Sequence, residues 1–370
     1  MREGWKYKKL KDVASLITDG DWIESRHQSE SGIRLIQTGN VGNGIFKAKD
    51  DKPHYISEDT FLELGCTEIF RGDCLVSRLP EPVGRACIIP EVGCRMITAV
   101  DCTIIRFKDC VLPKLFVYYT RSKQYKREID NSTTGTTRKR ISRKNLESVS
   151  IPLLPVDEQN KIVAELDLLT EIIDKQKQQL KELDTLAQSI FYDMFGNPNI
   201  NDMKWDYSTF KSIFKLKSGD GLIGKNFMQG NYPVYGGNGI SGYHNKYNKD
   251  GDYIIVGRVG AYCGNVRYVK GQFWLTDNAF QALFDNTVLD YVFVCYLLNA
   301  INLHQYANQA AQPVISNVVL KDIQIIMPPK TIQREFAKKI QTIESQKESI
   351  NRSIAESQKL FDYTMDKYFG

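Results

Sequence analysis

The chain writes one local pattern twice, and that repetition constrains its fold more than any other feature. The stretch IPLLPVDEQNKIVAEL, residues 151–166, has a counterpart in IIMPPKTIQREFAKKI, residues 325–340. Aligning 141–196 with 315–370 at a constant offset of 174 needs no gap, and each copy is 56 residues long. Both copies open on Ile-Ser, reach Pro155 or Pro329, then Gln159 or Gln333, and close on Phe-Gly. Shared landmarks at both ends mark an internal duplication rather than a chance likeness of two helices.

After each proline the sequence takes a heptad period. In the first copy Ile162, Leu166, Leu169, Ile173, Gln176, Leu180, Leu183, Ala187, Ile190 and Met194 step by alternating fours and threes, with Gln176 the one polar break. The second copy gives Phe336, Ile340, Ile343, Lys347, Ile350, Ile354, Ser357, Phe361, Thr364 and Tyr368, a more interrupted seam. Each reads as a helix of about 38 residues, about 57 Å long. Neither can bury its own stripe, and two in one chain most simply bury each other. The outward faces then carry Lys175, Lys177, Gln178, Arg352 and Gln358. The second copy has Thr331-Ile332 where the first has Asp157-Glu158, so it lacks an acidic residue in its first turn.

The segments before the helices also correspond. WKYKKLKDVASL at Trp5 matches WDYSTFKSIFKL at Trp205, and GDCLVSR at Gly72 matches GDYIIVGR at Gly251. Short β-like runs such as CLVS, CTIIRF, YIIVG and FQALF alternate with Gly, Asn and Asp turn signals. The expected class is α+β: a mixed, strand-rich domain over 1–155, a long helix over 156–196, a second such domain over 197–329 and a second long helix over 330–370. Antiparallel pairing of the helices as a coiled coil would create a pseudo-two-fold axis and throw the domains to opposite ends. Because Phe195-Gly196 leads within ten residues to Trp205, and Phe369-Gly370 matches it, the end of the chain should approach Met1 and Trp5. The architecture would be nearly circular.

Composition excludes little but bounds the class. At 370 residues the chain is too long for one ordinary core. With 42% hydrophobic and 25% charged residues it reads as a globular protein, and no apolar run approaches the roughly 18 residues of a membrane span. The opening MREGWKYKKL lacks the apolar centre of a signal peptide, so a cytoplasmic protein without a membrane partner is expected. Six of the eight cysteines fall between Cys66 and Cys110 with no CxxC spacing, which favours reduced thiols over a metal site. A net charge of +5 leans mildly towards polyanions.

Catalytic patterns are imitated rather than met. GDGLIGKN, residues 219–226, fits the spacing GxxxxGK with Lys225, but Asn226 stands where a hydroxyl should hold magnesium. MPPK at Met327 lacks the amide and the aromatic of an amine-methylating tetrapeptide, and YGGNG at Tyr235 lies in a turn-like stretch rather than between strand and helix. His27, His54, His244 and His304 form no local metal or triad spacing. No catalytic residue, metal ligand or cofactor site is assigned to the chain.

Nucleic-acid recognition is better supported. TTGTTRKRISRK, residues 133–144, gathers Arg138, Lys139, Arg140, Arg143 and Lys144, suited to phosphates; a solvated charge run is the plainer alternative. YPVYGGNGISGYHNKY presents Tyr235, Asn238, Tyr243 and His244 among glycines, and Arg258 ends GDYIIVGR. Such loops can bring amide and aromatic groups to base edges, although Asn-Gly turns between strands also explain them.

At this point the chain resembles the specificity subunits of type I restriction-modification systems over essentially its whole length. The carriers are the two IPLLPVDEQ-like entries into long helices, YPVYGGNGISGYH and GDYIIVGRVGAYCGNV. The resemblance implies that the two globular domains are target-recognition domains, each reading half of a bipartite, asymmetric site in double-stranded DNA. It also implies that the helices set the spacer and dock two methyltransferase subunits, with motor-nuclease subunits added. S-adenosylmethionine, ATP and magnesium would then sit on those partners, and this chain would catalyse nothing itself. A coiled-coil adaptor with two protein-binding end domains is the alternative from another class.

Overall fold

The computed structural model describes residues 5–135, 139–308 and 311–370. Both expected long helices are present, Val156–Phe195 and Lys330–Phe369, each of 40 residues and offset by the same 174 positions as the sequence repeat. The chain divides into two compact units. One comprises residues 1–175 and 354–370, the other 176–353, so each unit joins a globular region to parts of both long helices.

Within the first unit a four-stranded antiparallel sheet runs in the order Ala14–Asp19, Cys102–Phe107, Cys74–Ser77, Ala86–Ile88. The second unit repeats this order with Lys215–Ser218, Ala279–Leu283, Asp252–Gly257 and Val266–Lys270. Each unit adds a further sheet containing one parallel pair, Ile33–Ile36 with Met96–Thr98 and Tyr232–Gly236 with Trp274–Leu275. The two domains therefore share the order of the four-stranded sheet, beyond the loose sequence match between them, while the further sheet has five strands in the first unit and three in the second.

A two-stranded ribbon forms the neck of each domain. Lys6–Lys9 pairs with Ser150–Leu153, and Tyr207–Thr209 pairs with Gln324–Ile326, so the chain enters and leaves each domain at adjacent points. Proline then starts the helix. The carbonyl of Pro155 accepts the N–H groups of Glu158 and Gln159, and that of Pro329 accepts those of Ile332 and Gln333. Proline suits this boundary because it has no N–H to leave unpaired at a helix start.

The glutamine of each repeat is the clamp. Gln159 is buried; its Oε1 accepts the Leu112 N–H at 2.8 Å, and its Nε2 donates to the carbonyls of Cys110 at 2.7 Å and Leu154 at 2.8 Å. Gln333 does the same with Asp290 N–H at 2.8 Å, Val288 at 3.2 Å and Pro328 at 2.8 Å. Leu112 and Asp290 are the N-caps of the helices Pro113–Tyr119 and Tyr291–Ile301, so each clamp ties a long helix to a domain helix. The second copy keeps the same three hydrogen bonds despite its missing acidic residue.

The seam is buried at its ends and half-buried in its middle. Ile162, Leu166, Leu169, Ile173 and Phe361 join the first core, with Met365 and Phe369, while Ile354 is half-buried. Phe336, Ile340 and Ile343 join the second core with Ala187, Phe191 and Phe195, while Leu180, Leu183 and Ile350 are half-buried. The expected positions Ile190, Met194 and Tyr368 give way in the last two turns to Phe191, Phe195 and Phe369. Domain packing causes the shift in the second unit: Phe191 meets the Phe293 ring at 6.2 Å and Phe195 meets it at 4.7 Å. In the first unit Trp5 lies edge-on to Phe369 at 6.2 Å, which matches the expected approach to Trp5; Met1 lies outside the described residues.

Two of the polar seam residues have partners. Gln176 Nε2 donates to Ser353 Oγ at 2.7 Å, and Lys347 reaches Asp184 at 2.8 Å and Glu344 at 2.9 Å. Gln176 Oε1, however, is buried without a partner among the described residues. Replacing the pair by Gln176→Leu with Ser353→Ala removes that unsatisfied oxygen, so the double variant should gain about 1 kcal/mol. A thermal midpoint raised by about 2 °C is the expected reading, and a lowered midpoint would contradict it.

Candidate nucleic-acid interface

The basic segment of the first domain is a hairpin stitched to the core. Thr133–Thr134 pairs with Arg140–Ile141, Ile141 and Leu146 are fully buried, and Ser142 caps the short helix Arg143–Glu147 by accepting the Asn145 N–H at 3.1 Å. Arg140 is paired with Asp101 at 2.9 Å and Arg143 with Glu147 at 3.3 Å. Lys139 and Lys144 are exposed with no ion pair among the described residues, and Arg138 lies outside them. Exposed pairs of this kind contribute at most about 1 kcal/mol, so a phosphate can displace the carboxylate at little cost.

The same domain holds a polar concavity that sequence inspection passes over. Its volume is about 270 Å³, and Arg34, Gln37, Asn40, Lys49, Lys52 and His54 line it. Arg34, itself buried, donates to Asp50 at 2.7 Å, and Asn40 Nδ2 donates to the Lys47 carbonyl at 2.9 Å, so the lysine-bearing loop is held from below. Arg85 makes a second staple. It is buried and donates to the carbonyls of Val41 at 2.6 Å, Leu79 at 2.7 Å, Thr38 at 2.8 Å and Pro82 at 3.0 Å. The signal that could have exposed this loop is its run of Lys47, Lys49, Lys52 and His54 beside a short strand.

In the second domain Tyr232–Gly236 and Gly239–His244 form a hairpin turning on Gly237-Asn238, which exposes Asn238. Tyr243 is exposed, whereas Tyr235 is half-buried edge-on to Phe273 at 5.4 Å, and burial raises its hydroxyl pKa. Gly242 has a steric reason: a Cβ there would lie 2.4 Å from the Phe227 ring. His244 requires a correction. It is only 6% exposed, its Nδ1 accepts the Met228 N–H at 3.0 Å, and its ring stands edge-on to Trp274, so it holds the loop rather than facing a ligand. Arg258 is half-exposed with its guanidinium over the Phe280 ring at 5.3 Å.

Lys225 sits in a single 3-10 turn, Gly224–Asn226, between the strands Lys215–Ser218 and Tyr232–Gly236, with no helix following. Gly219 serves a chain crossing, since a Cβ there would lie 2.3 Å from the Leu275 carbonyl; Gly20 does likewise at Thr98, also at 2.3 Å. The phosphate-loop spacing therefore lacks its strand-to-helix setting.

A larger cleft of about 1540 Å³ in the second unit lies between Val266–Lys270, Tyr291–Ile301 and the long helices. Arg267, Lys270, Arg334 and Lys338 edge it, with Tyr268 and Cys295 in the wall. Burial pushes the Cys295 thiol up to about 11, so it is not a nucleophile at neutral pH. On the long helices Lys175 pairs with Glu171 at 2.7 Å, Gln178 bonds Glu182 at 3.2 Å and Gln358 bonds Asp362 at 2.9 Å, all exposed. No helix among the described residues is long and apolar enough to cross a membrane.

A family model described as the type I restriction modification DNA specificity domain matches residues 2–185 and 203–357. The specificity subunit of the type I restriction enzyme EcoprrI from Escherichia coli is 34% identical over 134 residues, which are 35% of this chain and 32% of that protein. The aligned part thus spans about a third of that relative's length. Among solved structures, the S subunit of a type I restriction-modification system from M. genitalium is similar over 100% of this chain and 98% of its own, with a TM-score of 0.59 and 15% identity. A chain from work on complex assembly and conformational transition of the type I R-M system matches with a TM-score of 0.60 and 17% identity, over 100% of this chain and 98% of that one. At these identities the likeness is one of fold.

Proposed function

The chain belongs to the type I restriction-modification DNA specificity family, with two copies of the domain, and from that premise we propose that it is the sequence-recognition subunit of such a complex. Each globular domain reads one half of a bipartite, asymmetric target in double-stranded DNA. The long helices pair as an antiparallel coiled coil about a pseudo-two-fold axis, set the spacer and dock two methyltransferase subunits. Motor-nuclease subunits complete the assembly, and the whole acts in the cytoplasm.

The observation that carries this reading is the doubled topology. One four-stranded order occurs twice, each copy joined by a strand ribbon and a glutamine clamp to the start of a 40-residue helix. Two related readers on one measuring element suit a target in two parts with an unread middle. Lys139, Arg140, Arg143 and Lys144 with the Lys49 and Lys52 loop serve the first half-site; Asn238, Tyr243 and Arg258 serve the second. Phosphate contacts from the lysines and arginines position the domains, and the amide and aromatic groups read bases.

The chain supplies selection, while partners supply S-adenosylmethionine, ATP and magnesium chemistry. Long-read methylation mapping tests this. A bipartite adenine motif should be present in cells that carry the gene and vanish on its deletion. Persistence of every adenine motif after deletion would sink the proposal.

A further inference from the structure

The two four-stranded sheets share a register, and that makes Arg78 and Arg258 equivalent. Val76 faces Thr103 in the first sheet and Val256 faces Phe280 in the second, and each arginine lies two residues further on. Across the same central strand Thr103 faces Asp19 and Phe280 faces Ser218. Both arginine N–H groups donate at 2.9 Å to a turn carbonyl, of Asp101 and of Asn278.

Their side chains meet different chemistry. The Arg78 side chain is 6% exposed and its Nη2 lies 3.3 Å from Asp19 Oδ2. Arg258 finds a hydroxyl instead: Nη1 is 3.5 Å from Ser218 Oγ and 3.4 Å from the Asp277 carbonyl, both at the limit of hydrogen bonding. No carboxylate lies within ion-pair distance of Arg258 among the described residues. The acid of that loop, Asp220, accepts from Asn248 at 2.8 Å.

The Asp19 carboxylate therefore marks where an anion sits against this arginine, and the second sheet leaves the position open. We infer that Arg258 holds a backbone phosphate of the DNA there, whereas Asp19 closes the equivalent position in the first domain. The inference rests on the DNA-recognition reading above and deepens it: at this point the two domains grip the backbone unequally. The guanidinium lies over the Phe280 ring at 5.3 Å, and a phosphate offers the charge-assisted acceptor that a serine does not.

The test uses the full chain and a short duplex of arbitrary sequence, with affinity followed between about 50 and 200 mM salt. Arg258→Ala should reduce the slope of log affinity against log salt by about 1 and weaken binding evenly across unrelated duplexes. Ser218→Asp, which supplies the first domain's acid while keeping the arginine, should lower the slope equally. If the wild-type chain binds no duplex, the DNA-recognition reading itself fails. If it binds and Arg258→Ala leaves the slope unchanged, the phosphate assignment is overturned while the reading stands. An effect of Arg258→Ala without one of Ser218→Asp overturns the equivalence with Asp19.

Discussion

Replacing Gln159 by leucine is expected to destabilise the first compact unit by about 3 to 5 kcal/mol, and Gln333→Leu to do the same to the second. Each buried side chain satisfies one N–H and two carbonyls, and leucine removes all three bonds, leaving the half-buried N–H of Leu112 or Asp290 and the buried carbonyl of Leu154 or Pro328 without their partner. An orphaned buried group costs about 1 to 3 kcal/mol, and the apolar burial gained by leucine offsets only part of the sum. Glutamate is no remedy, because it keeps the acceptor, loses both donors and brings a charge to a buried position. The exposed neighbour Asn160→Ala should stay within about 0.5 kcal/mol and serves as the control. Urea unfolding resolves these differences. A loss below about 1 kcal/mol at both glutamines would mean that the clamp does not hold the junction.

That clamp shows what could be read in advance. Gln159 and Gln333 were visible as landmarks because the repeat fixed their spacing, yet two of the three partners of each come from loops more than forty residues away. The helices were legible almost to the residue, since a seven-residue period sustained over so many turns is a strong local signal. It failed where tertiary contacts overrule the period: Phe191 and Phe195 replace Ile190 and Met194 once Phe293 packs against them. The shared sheet order was hidden because strands of three to six residues carry little periodic signal. Only the paired GD…R strings at 72–78 and 251–258 pointed to it. Among the site residues, charge could be read but pairing could not. Nothing local to Arg140 announces Asp101, and nothing in His244 announces that its Nδ1 is spent on Met228.

Exchanging residues 207–326 for the matching segment of another family member should change one half of the methylated motif and leave the other half unchanged. The ribbon is the reason. Tyr207 faces Ile326 in register, so both cuts fall side by side on a neck of two strands, and no other crossing of the chain is severed. The graft must still cover the long helices, because Phe293 and Tyr296 of the exchanged segment pack against Phe191 and Phe336. A donor with small residues at those positions would lose about 3 to 5 kcal/mol per missing aromatic and fail by unfolding rather than by misreading. A donor with aromatics there keeps the core and alters only the loops. Methylation mapping of cells carrying the chimera separates the cases. One new half-site beside the old one, at the old spacing, is the expected outcome. A motif changed in both halves would mean that the two domains do not read independently, and that the ribbon is a fold boundary without being a boundary of function.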